Sequence, residues 1–205
     1  LNSTSIPFNR PTFLGQTHSD FVKNLLESHA ALASGGNIAQ KCDDWLTKFY
    51  GAPTLTTSSA THALEMAAIL TEVGPGDEVV IPSHSFVTAA TAFALRGATI
   101  VFCDCDENGN ASIENIKPCI SPKTKAVVAT HYLGSSANIE NIAKFCKEKN
   151  IILVEDAAQA FGSTFHDRKL GTFGALGCIS FHDTKNVTAG QGGALIINDV
   201  TLLRS

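Results

Sequence analysis

The sequence predicts an α/β protein built on a mostly parallel sheet with helices on both faces. Two observations carry that expectation. From about residue 50 onward, helical patterns alternate with short apolar runs of strand length. Such alternation produces parallel strands joined by helical crossovers. The composition is also that of a folded core: 44% of the 205 residues are hydrophobic and 17% charged. A chain of that length and balance closes one sizeable domain and is not disordered.

The elements follow in order. Residues 1–50 read as an N-terminal lead-in with helices. Pro7, Pro11, Gly15 and the Ser34-Gly35-Gly36 turn interrupt them. Helical candidates remain over 19–32, with Ser19 as N-cap, and over 38–50. Residues 51–205 read as the large domain. A strand-like stretch at 54–57 precedes a helix over 60–70. A strand over 78–81 is closed by Pro82, and a helix over 86–95 ends near Gly97. A strand over 99–103, a short helix over 112–117 and a strand over 126–130 come next. A helix over 138–149 places Ile139, Ile142, Ala143 and Cys146 on one face and leads to a strand over 151–154. Two further strands, 177–181 and 194–197, are joined by a Gly-rich stretch without a helical pattern. That end of the sheet should therefore be irregular, with an antiparallel strand.

Net charge is −4 and the pI is near 5.9, which argues against a nucleic-acid partner. A small anionic ligand is compatible with that charge, because helix N-termini bind phosphate without a basic surface. No segment reads as a membrane span or signal peptide. Six cysteines in a chain of this size do not make a secreted disulfide framework, so a reducing cytoplasm is expected. The Asn-x-Ser/Thr triplets at Asn2, Asn110 and Asn186 then need no glycan. The chain does not begin with Met, and it stops at Leu202-Leu203-Arg204-Ser205 as a helical pattern starts. It reads as the front part of a longer protein.

In open parallel sheets, ligands sit beyond the carboxyl ends of the strands, so the residues following each strand carry the chemistry. Glu155 and Asp156 follow the strand over 151–154. A carboxylate there is either a structural cap or ion pair, or the partner of a cofactor cation. Lys185 follows the strand over 177–181 and precedes Thr188-Ala189-Gly190-Gln191-Gly192-Gly193. It is a solvated surface lysine, or an amine partly desolvated and able to attack a carbonyl. Ser180 could offer a hydroxyl to a phosphate. Ser58-Ser59-Ala60-Thr61 opens a helix, which suits both N-capping by Ser59 and phosphate binding. Phe86, after Pro82-Ser83-His84-Ser85, could pack in the core or stack on a flat heterocycle. Together these supply an anion site, a stacking surface, a carboxylate for a ring nitrogen and an amine for an aldehyde. Pyridoxal 5'-phosphate (PLP) needs those four partners.

Five ordered blocks then carry a resemblance. They are Pro75-Gly76-Asp77-Glu78-Val79, Leu95-Arg96-Gly97-Ala98, His131-Tyr132-Leu133-Gly134, Glu155-Asp156-Ala157-Ala158-Gln159, and Ser180-Phe181-His182-Asp183-Thr184-Lys185-Asn186. With them the chain resembles the sugar aminotransferases of PLP fold type I named after the DegT, DnrJ and StrS proteins. Cys42-Asp43-Asp44-Trp45-Leu46, Leu64-Glu65-Met66-Ala67-Ala68 and Ile196-Ile197-Asn198-Asp199 resemble the branch acting on dTDP-linked 4-keto-6-deoxyhexoses.

The resemblance implies an aspartate-aminotransferase-like large domain, with a C-terminal small domain absent from this chain. It implies glutamate as amino donor, a nucleotide-linked keto-sugar as acceptor, and a homodimer whose second subunit completes the site. It implies that Lys185 and Asp156 are catalytic: Lys185 holds the cofactor and moves the substrate proton, and Asp156 keeps the pyridine nitrogen protonated. It places Gln159 beside the ring's phenolic oxygen, Phe86 over the ring, and Ala60, Thr61 and Ser180 on the phosphate. Gln191 stands where relatives usually carry Glu, Ala60 where many carry Gly, and the Gly-rich loop is one residue shorter.

Other signals are weaker. Cys103 and Cys105 flank Asp104, and even with His131 no tetrahedral metal set emerges. Gly171-Thr172-Phe173-Gly174-Ala175-Leu176-Gly177 is not a dinucleotide fingerprint. His84 and His182 read as satisfied structural histidines near the site. Three other functions compete: a PLP-dependent sugar dehydratase, which would carry His where Lys185 stands; an inactive PLP-binding fragment needing the absent region; and a generic nucleotide-binding domain.

Overall fold

A computed structural model of the chain describes residues 15–28 and 36–204. The expectations for Pro7, Pro11, Ser34, Gly35 and residues 29–32 lie outside those residues. Helix α1 (Gln16–Glu27) starts three residues before the expected Ser19 cap. Gly15 holds the N-cap position, without a side-chain bond, and no residue of α1 is buried. Helix α2 (Asn37–Tyr50) ends where Gly51 turns left-handed (φ 74°), a conformation glycine adopts without a Cβ penalty. Its Leu46 and Tyr50 enter the core.

The main sheet has seven strands: β1 (Thr54–Thr57), β2 (Glu78–Pro82), β3 (Thr99–Cys103), β4 (Thr124–Thr130), β5 (Ile152–Asp156), β8 (Leu176–Ser180) and β9 (Gly193–Ile197). Their spatial order is β1-β9-β8-β5-β4-β2-β3. Strands β3, β2, β4, β5 and β8 pair in parallel, while β9 is antiparallel to both β8 and β1. The irregular end expected from the helix-free Gly-rich stretch is this reversal. Between β5 and β8 runs a small hairpin, β6 (Thr164–Phe165) with β7 (Arg168–Lys169), that the sequence reading did not anticipate. Its two-residue turn is His166-Asp167, both at positive φ. Hairpin turns favour that conformation but usually fill it with glycine or asparagine.

Successive strand residues point to opposite faces, so each strand serves two cores. Helices α3 (Ala60–Leu70) and α4 (Thr88–Ala94) cover one face. Ala63, Leu64, Ala67, Ala89 and Phe93 pack there on Val79, Ile81, Val128, Val154, Cys178 and Leu195. On the other face α2, α5 (Ile113–Ile116) and α6 (Ile139–Lys149) cover Val80, Val127, Ala129, Leu153, Ile179 and Ile196. Helix α4 is shorter than the expected 86–95, so Phe86 and Val87 precede it and stay exposed. Among the described residues no helix is long and apolar enough to cross a membrane.

Candidate active site

One edge of the sheet gathers most of the residues singled out from the sequence. Because β9 runs antiparallel, its first residue meets the last residues of both neighbours: Gly193 is in register with Thr57 and with Ser180. One strand further in, Asp156 ends β5 opposite Cys178, and Thr130 ends β4 opposite Asp156. Alternation places Ser180, Asp156 and Thr130 on the face covered by α3 and α4. Glu155, one residue earlier, goes to the other face.

The start of α3 lies on this edge. Ser59 caps it, its hydroxyl accepting from His62 N–H at 3.2 Å. Ala60 and Thr61 occupy the first turn, whose N–H groups have no acceptor within the helix. Gly193 brings the helix this close. A Cβ there would stand 2.5 Å from the Ala60 nitrogen and 2.7 Å from the Ser59 oxygen. Beside it, Ser180 is 5% exposed and its Oγ accepts from His182 N–H at 3.3 Å, so its own hydroxyl hydrogen stays free to donate. Free N–H groups at a helix N-terminus, the helix dipole and a serine hydroxyl together suit a phosphate.

Asp156 is 4% exposed, and burial pushes its pKa up. The Ala158 N–H, donating to Oδ1 at 3.1 Å, and the charges of His131 and Lys185 act in the opposite direction. Lys185 is therefore within electrostatic reach of Asp156. It sits, half-buried, in a loop held locally by its N–H to the His182 carbonyl (3.0 Å). The next residue, Asn186, donates its amide to the Phe161 carbonyl at 3.0 Å. Gln159 accepts the Leu133 N–H at 2.8 Å through Oε1, which leaves its Nε2 as the donor end. Phe86 is 67% exposed, its ring not used by the core. His84 lies against the Tyr132 ring, with centroids 4.4 Å apart. His182 Nδ1 is 2.8 Å from Asp183 Oδ1 and 3.0 Å from Thr184 Oγ1. A hollow of about 450 Å³ lined by Tyr50, Arg168, Lys169 and Thr172 involves none of these groups.

Sequence reasoning missed two features. The residues alone leave Glu155 as a structural cap or ion pair or as the partner of a cofactor cation. It is fully buried on the opposite face, in the structural role, where it accepts N–H bonds from Gly171 (2.8 Å), Phe173 (2.6 Å) and Gly174 (2.6 Å) and pairs with His131 Nε2 at 2.9 Å. His131 Nδ1 lies 3.4 Å from the Ala137 nitrogen, so its Nε2 is the ring nitrogen that faces Glu155. The second is Thr130, whose buried hydroxyl has no partner among the described residues. The only signal for it was a polar residue closing the apolar run Ala126-Val127-Val128-Ala129.

These groups fit PLP. The cradle that a Cβ at Gly193 would fill lies under free helix N–H groups, and a buried carboxylate with one backbone hydrogen bond among the described residues stands on the same face.

The model of the DegT/DnrJ/EryC1/StrS aminotransferase family matches residues 14–205. GDP-perosamine synthase of Escherichia coli O157:H7 is 34% identical over 199 residues, 96% of this chain and 54% of that protein. The dTDP-4-dehydro-2,3,6-trideoxy-D-glucose 4-aminotransferase of Saccharopolyspora spinosa is 43% identical over 146 residues, 71% of this chain and 38% of that protein. A Streptococcus pneumoniae structure described as a sugar aminotransferase in its PLP form superposes with a TM-score of 0.87 at 25% identity, covering 96% of this chain and 54% of that one. The chain thus spans about half the length of the relatives it matches, or less.

Proposed function

The chain belongs to the DegT/DnrJ/EryC1/StrS aminotransferase family, and on that premise we propose that the protein aminates a nucleotide-linked keto-sugar with PLP as cofactor. The observation that carries this reading is the meeting of the α3 N-terminus, Ser180, Asp156 and the Lys185 loop at one edge of the sheet. Bound there, PLP supplies an aldehyde and an electron-withdrawing ring that let an amino group pass between donor and acceptor.

Each residue has a task that its surroundings support. Ala60 and Thr61 N–H groups and the Ser180 hydroxyl hold the phosphate. Phe86 covers one face of the ring. Asp156, buried at the end of β5, holds the proton on the pyridine nitrogen. Gln159 Nε2 donates to the phenolic oxygen. Lys185 supplies the amine that anchors the cofactor, and afterwards takes the proton from the substrate carbon and returns it. The presence of lysine at 185 favours amination over the dehydratase reading, which calls for histidine there.

The finer reading is a dTDP-linked 4-keto-6-deoxyhexose as acceptor and glutamate as donor, as in the dTDP-4-amino-4,6-dideoxygalactose transaminase branch. The segments at Cys42–Leu46, Leu64–Ala68 and Ile196–Asp199 support it, as does the dTDP-sugar relative. In this reading the protein works as a cytoplasmic homodimer whose second subunit completes the site, as the family resemblance implies.

The test is the visible spectrum of the intact protein after PLP is added, with Lys185→Ala alongside. A band that borohydride fixes, absent in the variant, is expected. A screen of dTDP-, UDP- and GDP-linked keto-sugars with glutamate then identifies the acceptor. No such band in the intact protein would refute the reading.

A further inference from the structure

Thr130 closes β4 with a hydroxyl that is sealed from solvent and has no hydrogen-bond partner among the described residues. An unpaired buried hydroxyl is costly to keep, and valine would fill the same space without that cost. Native structures rarely retain such a group without a use for it.

Its place in the ladder indicates the use. The register partner of Thr130 is Asp156, and the two side chains leave the same face of adjacent parallel strands. In-register neighbours lie about 5 Å apart, within reach of a change in χ1. Both residues are buried, at 5% and 4% exposure. Among the described residues, the one hydrogen bond to the Asp156 carboxylate comes from Ala158 N–H. A carboxylate accepts several donors, so capacity is left.

We propose that Thr130 is a positioning residue for Asp156: its hydroxyl donates to that carboxylate when the carboxylate pairs with the protonated ring nitrogen of the bound cofactor. The proposal rests on the PLP reading above. It explains why an unpaired hydroxyl is kept beside a buried acid. In the cofactor-free protein, burial favours the protonated acid and the hydroxyl waits unused. With the cofactor's cation present, Asp156 is ionised and needs donors to fix its orientation.

Thr130→Val and Thr130→Ser in the intact protein test this through two readouts, PLP affinity by absorbance titration and melting temperature without cofactor. Thr130→Val should bind PLP about tenfold or more weakly, as expected for losing a hydrogen bond to a charged group. Without cofactor it should melt about 2–4 °C higher, because the unpaired hydroxyl is gone. Thr130→Ser, which keeps the hydroxyl, should retain affinity within about threefold. A residue that only packs would not move the two readouts in opposite directions. Thr130→Val binding PLP as tightly as the unsubstituted protein, or melting lower without cofactor, overturns the proposal and leaves the PLP reading intact. So does Thr130→Ser binding as weakly as Thr130→Val. Failure of the unsubstituted protein to bind PLP overturns both.

Discussion

Replacing Gly193 with alanine should loosen the phosphate cradle more than it unfolds the protein. The new Cβ would stand 2.5 Å from the Ala60 nitrogen and 2.7 Å from the Ser59 oxygen. Real Cβ contacts essentially never fall under 3.0 Å, so the start of α3 must retreat by about 0.5 Å or more. Backbone atoms cannot swing aside as a flexible side chain would. Overpacking of this kind costs about 1–3 kcal/mol. At about 2–4 °C per kcal/mol for a chain of this size, the melting temperature should fall by roughly 2–12 °C. The retreat also moves the Ala60 and Thr61 N–H groups away from Ser180. Charge-assisted bonds to phosphate are short and lose strength steeply with distance, so PLP affinity should fall by about tenfold or more. Differential scanning calorimetry and a PLP titration on the folded variant measure the two effects. If Gly193→Ala melts and binds PLP like the unsubstituted protein, the cradle is not built as argued.

Three further outcomes follow from the buried acids. Asp156 has its folded pKa raised above the ordinary 3.8, so between pH 3.8 and the raised value the folded cofactor-free protein holds a proton that the unfolded chain has released. Its contribution to stability is present below pH 3.8 and is lost as pH rises through the raised value; urea midpoints of cofactor-free protein should show that decline, and Asp156→Asn should remove it. The same variant should lose amination, because an amide cannot keep the ring nitrogen protonated. Glu155→Gln puts an amide where three backbone N–H groups and His131 donate, so it should destabilise the fold by about 3–5 kcal/mol in urea unfolding.

Much of the sheet was legible because its strands are short, apolar and bounded by turn residues. Thr54–Thr57 and Thr99–Cys103 matched as read, β2, β4 and β9 differed by one or two residues at one end, and β8 lay one residue earlier at both ends. The reading over 151–154 stopped at Val154 because two acids follow, yet β5 runs to Asp156. Periodicity could not show that those acids face opposite ways and have different tasks. Glu155 became legible only with the loop over 171–174 folded around it, a contact 16–19 residues away. The hairpin at Thr164–Lys169 was invisible because its strands are two residues long and its turn carries His166 and Asp167. Ser19 resembled a cap, but α1 begins at Gln16, so its hydroxyl falls inside the helix. The placement of the candidate site residues was more legible than the packing, because Lys185, Asp156, Ser180 and Phe86 each follow or close a strand at the edge where open sheets bind ligands.

The position of β9 also has a consequence for synthesis. β1 is made early, but among the described residues its one neighbour in the sheet is β9, some 140 residues later in the chain. Until β9 slots between them, β1 and β8 each present an open edge to other chains. Pairing so distant in sequence forms late and slowly. A growing chain that has already folded β2 to β5 therefore still lacks the floor of its cradle, which arrives with Gly193. Cofactor added during refolding should thus capture only molecules that have completed this last insertion. PLP would then act as a ratchet on the slowest step of assembly, drawing the chain away from edge-to-edge aggregation.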